Sequence, residues 1–196
     1  MELSPLSVAG IAERIWWNTG CTEWKRLDDP DYVPVESDPE LYREKKIKEI
    51  RENGRFRHGI HTALEIYTRA GVHNGFINCY AYPAGSDVRD SAAVGIVIPE
   101  EKYRGSGFGR EALRLYAEYL SGCGVRELYL LTYAANRAMI MAGMAAGFFI
   151  MREYAGRHDG AAVPGGHADS RASERVILHR RGEGYADTEK SDDFGF

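Results

Sequence analysis

Residues 95–110 read GIVIPEEKYRGSGFGR, and this stretch decides which fold the rest of the sequence must fit. It begins with an apolar run typical of a buried strand and ends in a glycine-rich segment that opens a helix. The N–H groups at a helix start lack intrahelical partners and point outward with the positive end of the dipole. Glycines let phosphate oxygens approach such N–H groups and permit positive φ angles. The stretch therefore predicts a pyrophosphate-binding turn.

Two other nucleotide-binding patterns fit this turn less well. A P-loop ends in Gly-Lys-Ser/Thr, whereas Gly109 is followed here by Arg110 and Glu111. A dinucleotide fingerprint, GxGxxG, needs a glycine where Arg110 stands. Taken by itself, the turn leaves open a nucleotide-binding regulatory module or a glycine turn that serves only packing.

The flanking sequence predicts an α/β domain with a mixed, mainly antiparallel sheet flanked by helices. Upstream, residues 62–68, 75–82 and 92–98 carry strand signals separated by turn residues, which indicates consecutive antiparallel strands. Downstream the pattern alternates: a helix through residues 113–120, a buried strand at 128–133, a helix at 136–146 and strands near 148–150 and 175–179. We expect the sheet to open between the strands at 92–98 and 128–133.

The N-terminal third predicts a short strand and two helices around an acidic loop. A strand at 2–6 precedes a helix capped by Ser7, with Val8, Ile11, Ala12 and Ile15 on one face. Residues 27–42 contain six acidic side chains and no Lys or Arg. Asp38-Pro39-Glu40 then gives an N-cap, a proline at the first helical position and an acid in the first turn.

Composition places the chain among ordinary globular domains. Its 196 residues fit one domain, which we assign to residues 1–181, followed by a polar tail at 182–196. A net charge of -4 argues against nucleic-acid and anionic-membrane binding. No apolar run is long enough to span a bilayer, and residues 1–10 do not resemble a signal peptide. We expect a cytoplasmic protein with three reduced cysteines; a homodimer is the default among oligomers.

The spacing Arg104-x-x-Gly107-x-Gly109, after a Val-x-Ile-Pro strand, resembles motif A of the GCN5-related N-acetyltransferases. Asn136 to Gly147-Phe148 reproduces the spacing of that family's second motif. Residues 1–6, 12–18, 75–78 and 91–96 are similar to the branch with ribosomal-protein-alanine, spermidine and aminoglycoside N-acetyltransferases. The resemblance covers roughly residues 1–180.

This resemblance implies acetyl-CoA as co-substrate and a set of residues that hold it. Backbone groups of Ile96, Val97 and Ile98 would pair with the pantetheine arm, and Asn136 would orient the pantetheine or the attacking amine. Asn136 is also a good helix N-cap, which is the alternative. The pyrophosphate would bind the N–H groups of the turn, helped by the two arginine charges: Arg104, Gly105, Ser106, Gly107, Phe108, Gly109 and Arg110.

The usual proton-transfer groups of the family are missing. Gly143 stands where a tyrosine acid often lies, and Ala93 where this branch often has a glutamate. Tyr133, at the end of its strand, and Glu23 are the candidate catalytic side chains, against the alternatives of a packed tyrosine and a surface glutamate. Catalysis by proximity alone, with water carrying the proton, is a further alternative.

The expected reaction is transfer of an acetyl group to a primary amine, either a cationic small molecule or a protein N-terminus. The acidic residues at 27–42 favour a cationic acceptor, although they also fit a solvated loop. A non-catalytic acyl-CoA-binding domain is the alternative function. No metal site is expected: alternation puts His58 and His61 on opposite faces of a strand, and the histidines at 158 and 167 lie in a glycine-rich loop.

Overall fold

The structure is a computed structural model that describes residues 1–28, 32–33, 38–155 and 174–182, built around a seven-stranded sheet. Two single 3₁₀ turns, Val8–Gly10 and Glu101–Tyr103, accompany the regular elements. In chain order these are β1 (Glu2–Ser4), α1 (Ile11–Thr19), α2 (Lys25–Asp28), α3 (Pro39–Arg51), β2 (Phe56–Arg57), β3 (Ile60–His61), β4 (Ala63–Tyr67), β5 (His73–Ala81), β6 (Ser91–Val97), α4 (Phe108–Gly122), β7 (Glu127–Tyr133), α5 (Arg137–Ala145), β8 (Phe149–Ala155) and β9 (Glu174–Arg181).

The strand order in the sheet is β1-β4-β5-β6-β7-β9-β8. Among the strands of the described residues, only β6 and β7 are parallel, and every other neighbouring pair is antiparallel. The mixed, mainly antiparallel sheet that the sequence predicted is therefore confirmed.

The two parallel strands separate after three residue pairs. Their ladder runs from Ser91 opposite Glu127 to Ala93 opposite Tyr129 and stops there. Beyond that point, within the described part of the chain, β6 pairs only with β5 and β7 only with β9. The predicted opening between these strands is present, and it leaves two backbone edges facing a cleft.

The main core lies between the sheet and helices α4 and α5. The helical spacing predicted for α4 is confirmed, because Leu113, Tyr116 and Leu120 are fully buried. They pack in one apolar cluster with strand residues that include Leu128 and Leu178. Helix α1 covers the opposite face, where Trp17 contacts Phe76 of β5.

Helix α1 differs from its prediction, whereas α3 agrees with it. Ser7 makes no side-chain cap bond, and the α-helix begins only at Ile11. This later start rotates the buried face, which consists of Ile11, Arg14 and Trp17, and leaves Val8 68% exposed. For α3, the Asp38 carboxylate accepts hydrogen bonds from the N–H groups of residues 40 and 41, as expected of an N-cap.

A two-stranded hairpin, β2–β3, was not predicted. Its turn residues His58 and Gly59 have φ angles of 53° and 81°, and strands of two residues leave no periodic pattern in a sequence. The glycine-rich loop with the histidines at 158 and 167, and the tail after Gly182, lie outside the described residues. Within the described ranges, no helix is long and apolar enough to cross a membrane.

Candidate active site

The glycine-rich turn after β6 depends on two left-handed glycines. Gly105 has a φ of 73°, and Gly107, the N-cap of α4, has a φ of 84°. A Cβ on Gly105 would meet nothing within 4 Å, so the backbone angle rather than space requires glycine there. These two angles turn the chain from the end of the strand into the helix.

A continuous run of backbone N–H groups lines this turn. The N–H of Arg104 donates to the Glu101 carbonyl (2.9 Å), and the first intrahelical bond of α4 runs from Glu111 to Gly107 (3.1 Å). Between them, the N–H groups of residues 105–110 donate to no carbonyl in the part of the chain that the structure describes. Such a run at a helix start is suited to a bound anion. The run begins at Gly105; the Arg104 N–H, which the sequence prediction had included, already donates to the Glu101 carbonyl.

The two arginines of the turn have different surroundings. The guanidinium of Arg104 donates to the carbonyl oxygens of Ile98, at 2.9 Å from Nε, and Pro99. It thereby braces the segment between the strand and the turn. The guanidinium of Arg110 lies beside the turn, 3.6 Å from the position a Cβ on Gly107 would take, and pairs with no carboxylate among the described residues.

The cleft edge of β6 contains the residues predicted to contact the pantetheine arm. Ile96 and Val97 lie beyond the last β6–β7 pair and are half-buried. Ile98 follows the end of the strand, and its carbonyl accepts the hydrogen bond from Arg104. An extended chain with amide groups can pair with such a strand edge.

Asn136 is the N-cap of α5. Its Oδ1 accepts a hydrogen bond from the Met139 N–H (3.1 Å), and its Nδ2 donates to the Leu27 carbonyl (3.1 Å). The alternative capping role is therefore present, and the same side chain ties the start of α5 to α2.

The two candidate catalytic side chains have different surroundings. Tyr133 is 6% exposed, and its hydroxyl oxygen accepts a hydrogen bond from Arg175. Glu23 is exposed in the turn after α1. Burial raises the pKa of the nearby Cys21 thiol, and the negative charge of Glu23 raises it further. The Cys21 Sγ lies 4.0 Å from the Pro99 carbonyl oxygen, so this turn sits beside the end of β6.

The positions of the missing acid and base are closely packed. Ala93 is fully buried at the last paired position of β6. A Cβ on Gly143 would lie 2.5 Å from Cδ1 of Leu130 and 3.2 Å from Cδ2 of Leu178. Gly143 therefore lets α5 approach the sheet closely, and neither position can supply a proton.

Sequence reasoning missed two polar side chains on the α1 side of the sheet, Arg14 and Asn78. The Arg14 guanidinium is buried 3.5 Å above the Phe76 ring, and Trp24 contacts the same ring edge-on at 5.9 Å. Asn78 follows on the same face, directly beside Gly95 of β6. The glycine inside a strand was the available signal, because it marks a close approach by another group.

A groove of about 950 Å³ lies between α3, the β2–β3 hairpin and the loop after β5. Its wall includes Tyr80, which pairs in register with Ala93 at the point where β6 and β7 separate. Its described lining mixes both signs of charge: Lys45, Lys48, Arg55, Arg57, Glu49, Glu52 and Asp87.

Solved structures with this fold include several acetyltransferases. The spermidine N-acetyltransferase from Vibrio cholerae, in complex with CoA and spermine, aligns with a TM-score of 0.66 and 14% identity, over 92% of this chain and 95% of that one. A putative acetyltransferase from Salmonella typhimurium, with acetyl-CoA, aligns with a TM-score of 0.64 and 14% identity, over 95% and 96%. The ribosomal-protein-alanine N-acetyltransferase from Brucella melitensis gives 0.62 and 16%, over 92% and 99%. These likenesses show the fold.

The family itself is shown at the level of sequence. No curated protein sequence matches the chain. Residues 12–149, well over half of the chain, match the family model of the acetyltransferase (GNAT) domain. That range contains the glycine turn, the splayed strands and Asn136. The chain therefore belongs to the GNAT acetyltransferase family, whose co-substrate is acetyl-CoA.

Proposed function

We propose that this protein transfers the acetyl group of acetyl-CoA to a primary amine. The observation that carries the proposal is the run of N–H groups from Gly105 to Arg110 beside the splayed strands, within a GNAT domain. The run supports pyrophosphate binding, and the unpaired edge of β6 at Ile96 and Val97 supports pairing with the pantetheine amides. Acetyl-CoA supplies the activated thioester.

The protein's own part in the reaction is to hold the thioester and present the amine to it. A backbone N–H of the splayed strand, that of Val97 or Ile98, is suited to stabilise the oxyanion that forms on the thioester carbonyl. An alkylammonium has a pKa near 10.4, so the acceptor must lose a proton before it attacks. Tyr133, through its hydroxyl, is our candidate donor to the departing thiolate, and Glu23, through water, our candidate base.

The acceptor that we favour is a cationic amine, as in a polyamine. The acidic stretch at 27–42 is the support for this preference. The described groove beside Tyr80 has both signs of charge in its lining and does not favour a cation by itself. A protein N-terminus is the second candidate acceptor, since the ribosomal-protein-alanine enzyme from Brucella melitensis has the same fold.

Two measurements test the proposal. Calorimetry should show acetyl-CoA binding to the wild-type protein, with CoA competing and ATP not competing. A CoA-release assay should then show turnover with at least one amine among spermidine, kanamycin, an amino acid and a peptide that begins with alanine. Binding without turnover on any amine would favour the alternative, a non-catalytic acyl-CoA-binding domain, and failure to bind would reject both.

A further inference from the structure

Asn78 of β5 and Gly95 of β6 face each other across two central strands. A Cβ placed on Gly95 would lie 2.8 Å from the Oδ1 atom of Asn78. The carboxamide therefore occupies the space above the glycine that a side chain would otherwise fill. No larger residue fits at position 95 while Asn78 keeps this position.

The carboxamide lies over the splayed part of β6. Gly95 is two residues beyond Ala93, where the β6–β7 ladder ends, and directly before Ile96 and Val97 on the cleft edge. By strand alternation Asn78 shares its face with Phe76, under α1, and lies opposite the face that α4 and α5 cover. An amine that approaches a thioester in the cleft from the face opposite α4 and α5 arrives on the α1 side of the sheet, where Asn78 lies.

The side-chain amide of Asn78 is available to a ligand. Its side chain is half-buried, and within the described ranges neither amide atom forms a hydrogen bond. Neither amide atom of Asn78 is among the buried unpaired polar atoms, so both can be reached from the cleft side, and a carboxamide can accept two hydrogen bonds and donate two. The accessible oxygen beside a glycine is therefore suited to a ligand with N–H donors.

We infer that Asn78 binds the acceptor amine and orients it toward the thioester, an inference that rests on the proposed acetyl transfer. The Oδ1 atom accepts one N–H of the amine, which directs the nitrogen lone pair at the carbonyl carbon. The N–C bond forms as the C–S bond breaks, one proton passes from nitrogen to water, and the thiolate gains one proton, giving the amide and CoA. Because a carboxamide does not titrate, it holds the amine without removing its proton. It thus acts by proximity in a site where Ala93 and Gly143 provide no acid or base.

The test uses three variants of the full-length protein and the best amine from the panel above. Asn78→Ala should lower kcat/KM for that amine at least tenfold, mainly through KM, and leave the acetyl-CoA affinity within about twofold. Gly95→Ala should give the same acceptor defect, because its Cβ must displace the carboxamide. Asn78→Asp should retain turnover and add an ionisation, so that kcat/KM rises with pH as the new carboxyl loses its proton. A purely structural role for Asn78 would add no such ionisation.

Ile77→Val is the matched control, since Ile77 is the adjacent residue on the core face of the same strand. It should cost about 1 kcal/mol of stability and leave acceptor kinetics unchanged. Wild-type acceptor kinetics in Asn78→Ala and in Gly95→Ala would overturn the inference and leave the acetyltransferase assignment intact. A loss in these two variants that is confined to acetyl-CoA affinity would also overturn the inference. A wild-type protein that acetylates no amine would instead reject the proposed function itself.

Discussion

The hydroxyl oxygen of Tyr133 accepts a hydrogen bond of 2.7 Å from Nη2 of Arg175, and the guanidinium carbon of that arginine lies 4.3 Å from the centre of the tyrosine ring. The two residues are in register on β7 and β9. The bond orients the tyrosine at the end of the strand that forms one side of the cleft. An oriented hydroxyl at that position is the basis for the first prediction.

Tyr133→Phe is expected to lower kcat about 10²-fold, the size of a lost general acid, with little change in acetyl-CoA affinity. Tyr129→Phe is the control, because Tyr129 lies on the same face of β7, four residues earlier. Single-turnover kinetics measure the chemical step directly. Near wild-type turnover in Tyr133→Phe would mean that water, and not Tyr133, supplies the proton.

Gly107→Glu is expected to weaken acetyl-CoA binding more than tenfold in calorimetry. The carboxylate would lie beside the N–H groups proposed for the pyrophosphate, and a left-handed φ of 84° adds strain for any side chain. Gly71→Glu is the control, since Gly71 has a φ of 77° in the turn before β5 and nothing within 4 Å of its Cβ position. Equal affinities in wild type and a folded Gly107→Glu variant would exclude this turn as the binding site.

Gly143→Ala is expected to destabilise the protein by about 1–3 kcal/mol, because the added methyl group would overlap Leu130 and Leu178 in a packed core. Gly122→Ala is the control: it ends α4 with open space around its Cβ position, so alanine should be neutral or slightly stabilising. Urea unfolding followed by circular dichroism measures both. A Gly143→Ala variant as stable as the wild type would mean that α5 can move away from the sheet at no cost.

Glu49 gives a prediction about pH. Burial alone would raise the pKa of its carboxyl, but hydrogen bonds from Arg55 and Lys46 outweigh burial and lower it. Because the folded pKa lies below the unfolded value near 4.3, the ionised carboxylate stabilises the fold above that value, and this stabilisation disappears as pH falls through the folded pKa.

Glu49→Gln should therefore cost about 1 kcal/mol at pH 7 and progressively less in acid. Urea midpoints at pH 7 and pH 3.5 measure the difference, with Glu44→Gln on the exposed side of α3 as control. If Glu49→Gln lowered the free energy of unfolding by the same amount at both pH values, the carboxylate charge would not contribute to stability.

The acidic stretch at 27–42 predicts a salt effect for a cationic acceptor. Raising ionic strength from about 0.01 M to 0.15 M shortens the Debye length from roughly 30 Å to 8 Å, so kcat/KM for spermidine should fall. Replacing Asp28, Asp29 and Asp31 by Asn should flatten that dependence. Glu2, Glu44 and Glu118, which are exposed and lie outside the groove, replaced by Gln form a control of equal charge. If the best acceptor has no charge beyond its amine and kcat/KM does not respond to salt, the cationic preference is wrong.

Local patterns in the sequence determined the order of the elements and the position of the glycine turn. Gly107, before an apolar helical repeat, marks a strand-to-helix turn through backbone angles that depend only on neighbouring residues. Asp38 and Pro39 fix a helix start for the same reason. Core positions such as Leu113 and Leu120 followed from helical spacing. All of these signals act within a few residues, so a sequence contains them in full.

Relationships between distant segments were decided only in three dimensions. The sequence could not show that Arg104 turns back onto the carbonyls of Ile98 and Pro99, or that Arg14 is buried over Phe76, because both charges resemble solvated ones in a linear pattern. Asn78 has no periodic signature, and its role depends on strand register. A register shift of one residue along β5 would place its side chain on the opposite face, in the core beneath α4. Register between strands is set by packing over the whole sheet, which is why the predicted cofactor turn came from the sequence and the amine-binding residue only from the fold.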